Sequence, residues 1–138
     1  MKKTILTYGT FDLFHIGHLN ILRNLKALGD ILIVGVSTDE FNLQKGKKTA
    51  IPFHERIEII KSIKYVDIAI PESTWDQKKS DIFEYSVSTF AIGDDWAGKF
   101  DHLKEYCQVI YLPRTEGIST TQLKNKLKTS NHPSLIKR

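Results

Sequence analysis

The chain has 138 residues, 41% of them hydrophobic and 26% charged, which is the make-up of one globular domain. Its single cysteine, Cys107, cannot form an internal disulfide, and no apolar run approaches the ~18 residues of a membrane span, so disulfide scaffolds and membrane insertion are excluded. The formal charge is +4, but residues 122–138 hold five basic residues and no acid, leaving residues 1–121 at −1; a basic tail on a neutral body is no footprint for nucleic acid.

The opening MKKTIL is interrupted by Tyr8, Gly9 and Asp12 before a signal-peptide core can form, and with the lone cysteine this predicts a cytoplasmic protein. Residues 4–8 (TILTY) read instead as a first strand. Leu19, Leu22, Leu25 and Leu28, with Ile21 beside them, mark one side of a helix that Gly29 ends. The near-continuous apolar run 31–36 predicts a second strand buried on both faces, as in a parallel sheet. Pro52 opens a second helix, with Phe53, Ile57, Ile60 and Ile63 at helical spacing. Further strands are predicted at 66–70, 89–92 and 109–112, with weaker helical stretches at 78–85 and 101–106. Ser119 followed by Gln122 is a capping-box pattern for a last helix running to about Lys128. Residues 129–138 contain Pro133 and lack periodicity, which predicts a flexible tail after a domain spanning 1–128.

Strands alternating with helices predict an α/β fold: a Rossmann-like open parallel five-stranded sheet with helices on both faces, in a single domain. Such sheets bind ligands outside the carboxyl ends of their strands. The unusual polar stretches fall there: GTFDLFHIGH (9–18), STDEFNLQKGKK (37–48), PESTWDQKK (71–79), GDDW (93–96) and PRTEGISTT (113–121).

The first of these is the most informative. Gly9 permits a tight turn, Thr10 offers a hydroxyl and an N–H, and His15, Gly17 and His18 stand where the first helix begins. A helix N-terminus presents unpaired N–H groups and positive dipole, which attract phosphate. Two histidines three residues apart also serve simply to satisfy a helix end, or as half of a metal site, although no cysteine or third histidine stands near them in sequence. Neither a Walker A nor a GxGxxG pattern is present. What remains is a set of cations and helix starts suited to a polyphosphate, and phosphoryl transfer needs positioning and charge neutralisation more than covalent chemistry.

The HIGH element at residues 15–18 resembles the signature of the nucleotidylyltransferase superfamily, and RTEGISTT (114–121) resembles the second motif of its cytidylyltransferase branch. The stretches STDEFNLQK, YVD, IPE, GDDW and GKFD are similar to the glycerol-3-phosphate cytidylyltransferase subfamily, so that the resemblance runs to about residue 128. The resemblance implies transfer of the cytidylyl group of CTP to sn-glycerol 3-phosphate, a place in teichoic-acid-like or capsular glycerol-phosphate polymer synthesis, and a homodimer. It implies that His15, His18, Lys45 and Arg114 carry the reaction. It assigns CTP binding to Gly9, Thr10, Phe11, His15, His18, Lys47, Arg114, Thr115, Gly117, Ile118, Ser119, Thr120 and Thr121. Lys45, Trp75 and Lys78 are placed at the acceptor, with Asp12, Arg56 and Asp94 in support.

Each of these residues has a plainer reading beside it. Lys45, Lys47 and Lys48 form either a solvated basic loop or a clamp, with Gly46 letting it close. Arg56 is either a surface partner of Glu55 or Asp67, or a support of the site. Trp75 covers either the sheet edge or a small acceptor, and Lys78 and Lys79 face either solvent or the acceptor phosphate. Asp94 and Asp95 look like a metal pair but equally hold loops, so Mg²⁺ is expected to ride mainly on the CTP phosphates. Ser119–Thr121 cap a helix and cradle phosphates in one geometry. The acceptor loops offer Lys45, Gln77, Lys78 and a single aromatic, Trp75, a set that favours an anionic polyol over a quaternary ammonium. Choline phosphate, ethanolamine phosphate or another polyol phosphate remain alternative acceptors, and a catalytically silent nucleotide-binding regulator is the alternative outside enzymology.

Overall fold

The computed structural model describes residues 2–113. Among them, five strands, β1 (Thr4–Gly9), β2 (Ile31–Ser37), β3 (Ile68–Glu72), β4 (Thr89–Gly93) and β5 (Gln108–Leu112), form one sheet in the order β3-β2-β1-β4-β5. Every neighbouring pair is parallel. Helices α1 (Ile16–Ala27), α2 (Asp39–Gln44), α3 (Phe53–Lys61) and α4 (Gln77–Glu84) lie in the crossovers, with 3-10 turns at Asp94–Trp96 and Asp101–Glu105. The fold is the one the sequence predicts. The last helix expected from Ser119 and the tail 129–138 lie outside the described residues.

The period of two along each strand builds two cores. Ile5, Leu32, Val34 and Val36 face α1 and α3, packing on Leu22, Leu25, Ile57 and Ile60. Leu6, Tyr8, Ile33, Phe90 and Ile92 face the opposite way, onto Ile82 of α4 and onto Phe100 and Leu103. Gly35 sits opposite Tyr8 in the β1–β2 register, and a Cβ there would lie 2.2 Å from the Tyr8 ring. The glycine is therefore what lets a tyrosine stand on the sheet at that point.

Two elements depart from expectation. β3 begins at Ile68 and ends at Glu72, two residues later than its apolar run. Val66 still belongs to the turn after α3, its N–H donating to Ile63 O at 3.0 Å. Asp67 then fastens that turn to the sheet, accepting from Leu32 N at 2.8 Å and from Lys26 Nζ at 2.7 Å. The shift brings Pro71 into the strand, tolerated because β3 is an edge. Helix α2 forms where a loop is predicted. With only Phe41 and Asn42 buried it is too short to show periodicity, and its signal is local: Thr38 caps it through its hydroxyl, accepting from Phe41 N at 3.1 Å.

Candidate active site

Strand β1 delivers the chain into a loop whose backbone is bent by side-chain-bearing residues. Phe11 (φ 54°) and Leu13 (φ 50°) both occupy the left-handed region, a conformation that persists only where the surroundings enforce it. The turn is thus not made by Gly9. A Cβ at Gly9 would lie 2.8 Å from the Phe11 ring, so the glycine makes room for that ring instead. The loop ends on His15, which caps α1. His15 Nδ1 accepts from Gly17 N at 3.0 Å, and His18 Nδ1 accepts in return from His15 N at 3.2 Å. The result is a capping box built from two imidazoles, stacked with ring centroids 3.9 Å apart. With each Nδ1 accepting, the neutral rings carry their proton on Nε2 and turn that donor away from the backbone they cap. Burial holds His15 below its ordinary pKa. His18, packed between Phe11 and Phe14, is lowered to about 4, mainly by burial and then by His15, against an upward pull from Asp12. At neutral pH the site holds two neutral donors.

Two buried charged residues lock this loop to its neighbours. Asp12 accepts from Ala50 N and Ile51 N, at 2.8 and 2.9 Å, tying the β1 loop to the segment that leads into α3. Arg56, one turn into α3 and 1% exposed, donates to three carbonyls: Ile51 at 2.8 Å, Thr10 at 2.8 Å and Ser37 at 2.8 Å. Its remaining arm pairs with Asp39 at 2.7 Å. The surface pairing with Glu55 or Asp67 is therefore not made: Arg56 is a core latch, and Asp67 belongs to Lys26. The Phe53 N–H first, and the Arg56 guanidinium after it, hold the Asp39 carboxyl below its ordinary range.

A pocket of about 90 Å³ opens at the carboxyl ends of β1 to β4, with Gly9, Thr10, Ser37, Glu72 and Ile92 in its wall. Three lysines line it. Lys45, at the end of α2, donates to Ser37 Oγ at 3.3 Å and lies over the Phe41 ring; burial lowers its pKa, with Glu72 opposing. Lys47 reaches the same pocket from beyond Gly46, which adopts φ 74°. Lys78, in the first turn of α4, is buried rather than solvent-facing and pairs with Glu72 at 2.6 Å. Glu72 also accepts from Ser37 Oγ at 2.7 Å, so one carboxylate holds Lys78 directly and Lys45 through a serine hydroxyl. Trp75 stands over the pocket, edge-on to Phe41 and Trp96.

The structure thus brings Gly9, Thr10, Lys45, Lys47, Trp75 and Lys78 to one pocket, beside the loop carrying Phe11, Asp12 and His15 and the first turn of α1 carrying His18. Asp94 does not line it: exposed, it opens a 3-10 turn and accepts from Ala97 N through its carbonyl at 3.0 Å. Gln77 does not offer its amide to the pocket either. Its Oε1 accepts from Ser73 N at 2.6 Å and its Nε2 donates to Pro71 O at 2.9 Å, bracing the turn that carries Glu72 and Trp75. Arg114, Thr115, Gly117, Ile118, Ser119, Thr120 and Thr121 lie outside the described residues. Sequence reasoning missed Glu72, Ser37, Tyr8, Trp96 and Phe100 as pocket residues, because strand ends and distant aromatics carry no mark of their convergence. Among the described residues, no three His, Cys, Asp or Glu side chains come together to hold a metal ion, and no helix is long and apolar enough to cross a membrane.

Comparison with known proteins agrees with this geometry. A family profile described as Cytidylyltransferase-like matches residues 6–126. The chain is 61% identical over 127 residues to the glycerol-3-phosphate cytidylyltransferase of Bacillus spizizenii, covering 92% of this chain and 98% of that one. It is 56% identical over 127 residues to the Bacillus subtilis enzyme of the same name, with coverage of 92% and 98%. Among solved structures, a lipopolysaccharide core biosynthesis protein from Thermoplasma volcanium superposes with a TM-score of 0.71 at 24% identity, covering 84% of this chain and 100% of that one; this likeness concerns the fold alone.

Proposed function

Because the chain belongs to the cytidylyltransferase-like family, we infer that it transfers the cytidylyl group of CTP to sn-glycerol 3-phosphate, giving CDP-glycerol and pyrophosphate. The observation that carries this reading is a juxtaposition at the carboxyl ends of adjoining strands. A helix start capped by two neutral histidines suits a polyphosphate, and the lysine-lined pocket beside it suits a small phosphorylated acceptor. The bacterial relatives that match over nearly their whole length support glycerol 3-phosphate as that acceptor.

In this reading an oxygen of the acceptor phosphate attacks the α-phosphorus of CTP. The bond from that phosphorus to the α–β bridging oxygen breaks, and its electron pair leaves on pyrophosphate. A phosphate monoester has a second pKa of ~6 and is ionised at neutral pH, so no residue has to remove a proton. His15 and His18 donate from Nε2 to the α-phosphate and to the leaving pyrophosphate, and these bonds strengthen as charge moves outward. Lys45 faces the acceptor phosphate and Lys47 the triphosphate. Arg114, Thr115, Gly117, Ile118, Ser119, Thr120 and Thr121 would bind the CTP phosphates, as the resemblance implies, while Asp12 and Arg56 position the loops and Asp94 holds the turn after β4. Mg²⁺ would be carried mainly by the CTP phosphates, where it would neutralise charge. The enzyme acts as a cytoplasmic homodimer, and its product feeds teichoic-acid-like or capsular glycerol-phosphate polymers. Phosphorus NMR of the protein with CTP, glycerol 3-phosphate and Mg²⁺ should show CDP-glycerol growing in step with pyrophosphate. Pyrophosphate or phosphate released without CDP-glycerol would overturn the reading.

A further inference from the structure

The ammonium of Lys78 occupies an unusual place. It lies over the faces of three aromatic rings, 4.7 Å from the Tyr8 centroid, 5.1 Å from Trp75 and 5.2 Å from Phe100, with the Glu72 carboxylate 2.6 Å away. Both members of the ion pair are almost fully buried, with side chains 5% and 4% exposed. Aromatic faces closed by a carboxylate are the standard means of binding an alkylammonium ligand. The pocket therefore contains the cage that a choline or ethanolamine head group requires, and the chain fills it with its own cation. The residues come from four places: the end of β1, the end of β3, the turn before α4, and the segment between the 3-10 turns. Gly35 makes the space for one wall by admitting Tyr8.

We propose that Lys78 is a specificity-determining residue that acts as a resident cation: by occupying the cage formed by Tyr8, Trp75, Phe100 and Glu72 it excludes acceptors bearing an ammonium group and reserves the pocket for polyol phosphates, whose head groups are uncharged. Two consequences follow from charge and space. A cationic head group entering the intact pocket meets a like charge in a dry surrounding and finds its carboxylate partner already engaged. A polyol meets neither obstacle, and the ammonium, which has three donors and spends one on Glu72, can donate to an acceptor oxygen. Truncating Lys78 inverts both. It leaves a carboxylate without its partner inside an aromatic box, with Lys45 and Lys47 still lining the pocket for a phosphate.

The inference rests on the cytidylyltransferase reading above, and its test separates the two. Wild-type protein and Lys78→Ala are assayed by pyrophosphate release with CTP and, in turn, glycerol 3-phosphate, ethanolamine phosphate and choline phosphate. For Lys78→Ala, kcat/KM with glycerol 3-phosphate should fall and that with choline phosphate should rise, changing their ratio by about thirtyfold or more, the worth of a desolvated cation–π site. Lys78→Met, which refills the cage with an uncharged chain, should lose efficiency with glycerol 3-phosphate and gain none with choline phosphate. Tetramethylammonium chloride should raise the melting temperature of Lys78→Ala above a matched sodium chloride control and leave the wild type unmoved. If the lone buried carboxylate prevents Lys78→Ala from folding, Lys78→Ala/Glu72→Gln removes that carboxylate's charge and should show the same change of ratio in smaller measure. A ratio unchanged in the folded variants overturns the inference while leaving CDP-glycerol synthesis in place. Wild-type protein that makes no CDP-glycerol sinks the reading beneath it.

Discussion

His15 and His18 cap a helix with one ring nitrogen and present a proton on the other, so a single arrangement serves folding and chemistry. Their two roles separate by magnitude. Loss of a cap costs about 1 kcal/mol of stability, whereas loss of one donor to developing phosphate charge costs about 10² in kcat. His15→Ala and His18→Ala should therefore remain folded by circular dichroism while turning over about a hundredfold more slowly; near wild-type rates in both would reduce the pair to a helix cap. The lowered pKa of His18 carries its own prediction. Because the folded value is about 4 against an ordinary 6.5, the unfolded chain takes up this proton first as pH falls. The contribution of His18 to stability thus declines from about pH 6.5 down to about pH 4 and is level below that. Urea melts at pH 7, 5.5 and 4.5 should show this slope in the wild type and a shallower one in His18→Asn, which keeps an acceptor for the His15 N–H but does not titrate.

Between elements, the loops that form the site are joined by buried charge as well as by the packing of Phe11, Phe14 and Phe53 on the core. Arg56 alone links the β1 loop, the end of β2 and the segment before α3 through three carbonyls and Asp39. Arg56→Ala leaves those carbonyls without their donor and should lower unfolding stability in urea by about 3 kcal/mol, at roughly 1 kcal/mol for each carbonyl left unpaired; the pairing with Asp39, 41% exposed, adds little. Arg56→Lys should restore only part of it, because a point charge cannot replace the fork. The same elements show what a sequence discloses. Strands and long helices are legible because burial imposes a period on their side chains, and the placing of the polar stretches after the strands already indicates where a ligand would sit. Glu72 is different. In sequence it is one acid after a proline; only the pairing of β3 beside β2 brings it under Ser37 and opposite Lys78. The aromatic count misleads for the same reason: Trp75 is the aromatic residue of its loop, but Tyr8 and Phe100 join it from 67 residues before and 25 after.

For the whole molecule, the order β3-β2-β1-β4-β5 gathers the ends of four strands around one small pocket and sets the first helix start beside it. Edge strand β3 exposes Ile68, and α3 exposes Ile59, on a chain of 15.8 kDa. The proposed two-fold pairing predicts a light-scattering mass of twice that value at micromolar concentration, and a monomer mass there would contradict it. The central claim, that this site joins CTP to glycerol 3-phosphate, is tested most directly by kcat/KM over a matrix of the four ribonucleoside triphosphates against glycerol 3-phosphate, choline phosphate, ethanolamine phosphate and ribitol 5-phosphate. One dominant cell is expected, CTP with glycerol 3-phosphate, with both ammonium-bearing acceptors poor. Equal or better turnover of choline or ethanolamine phosphate by the unmodified protein, or no turnover in any cell, would contradict it.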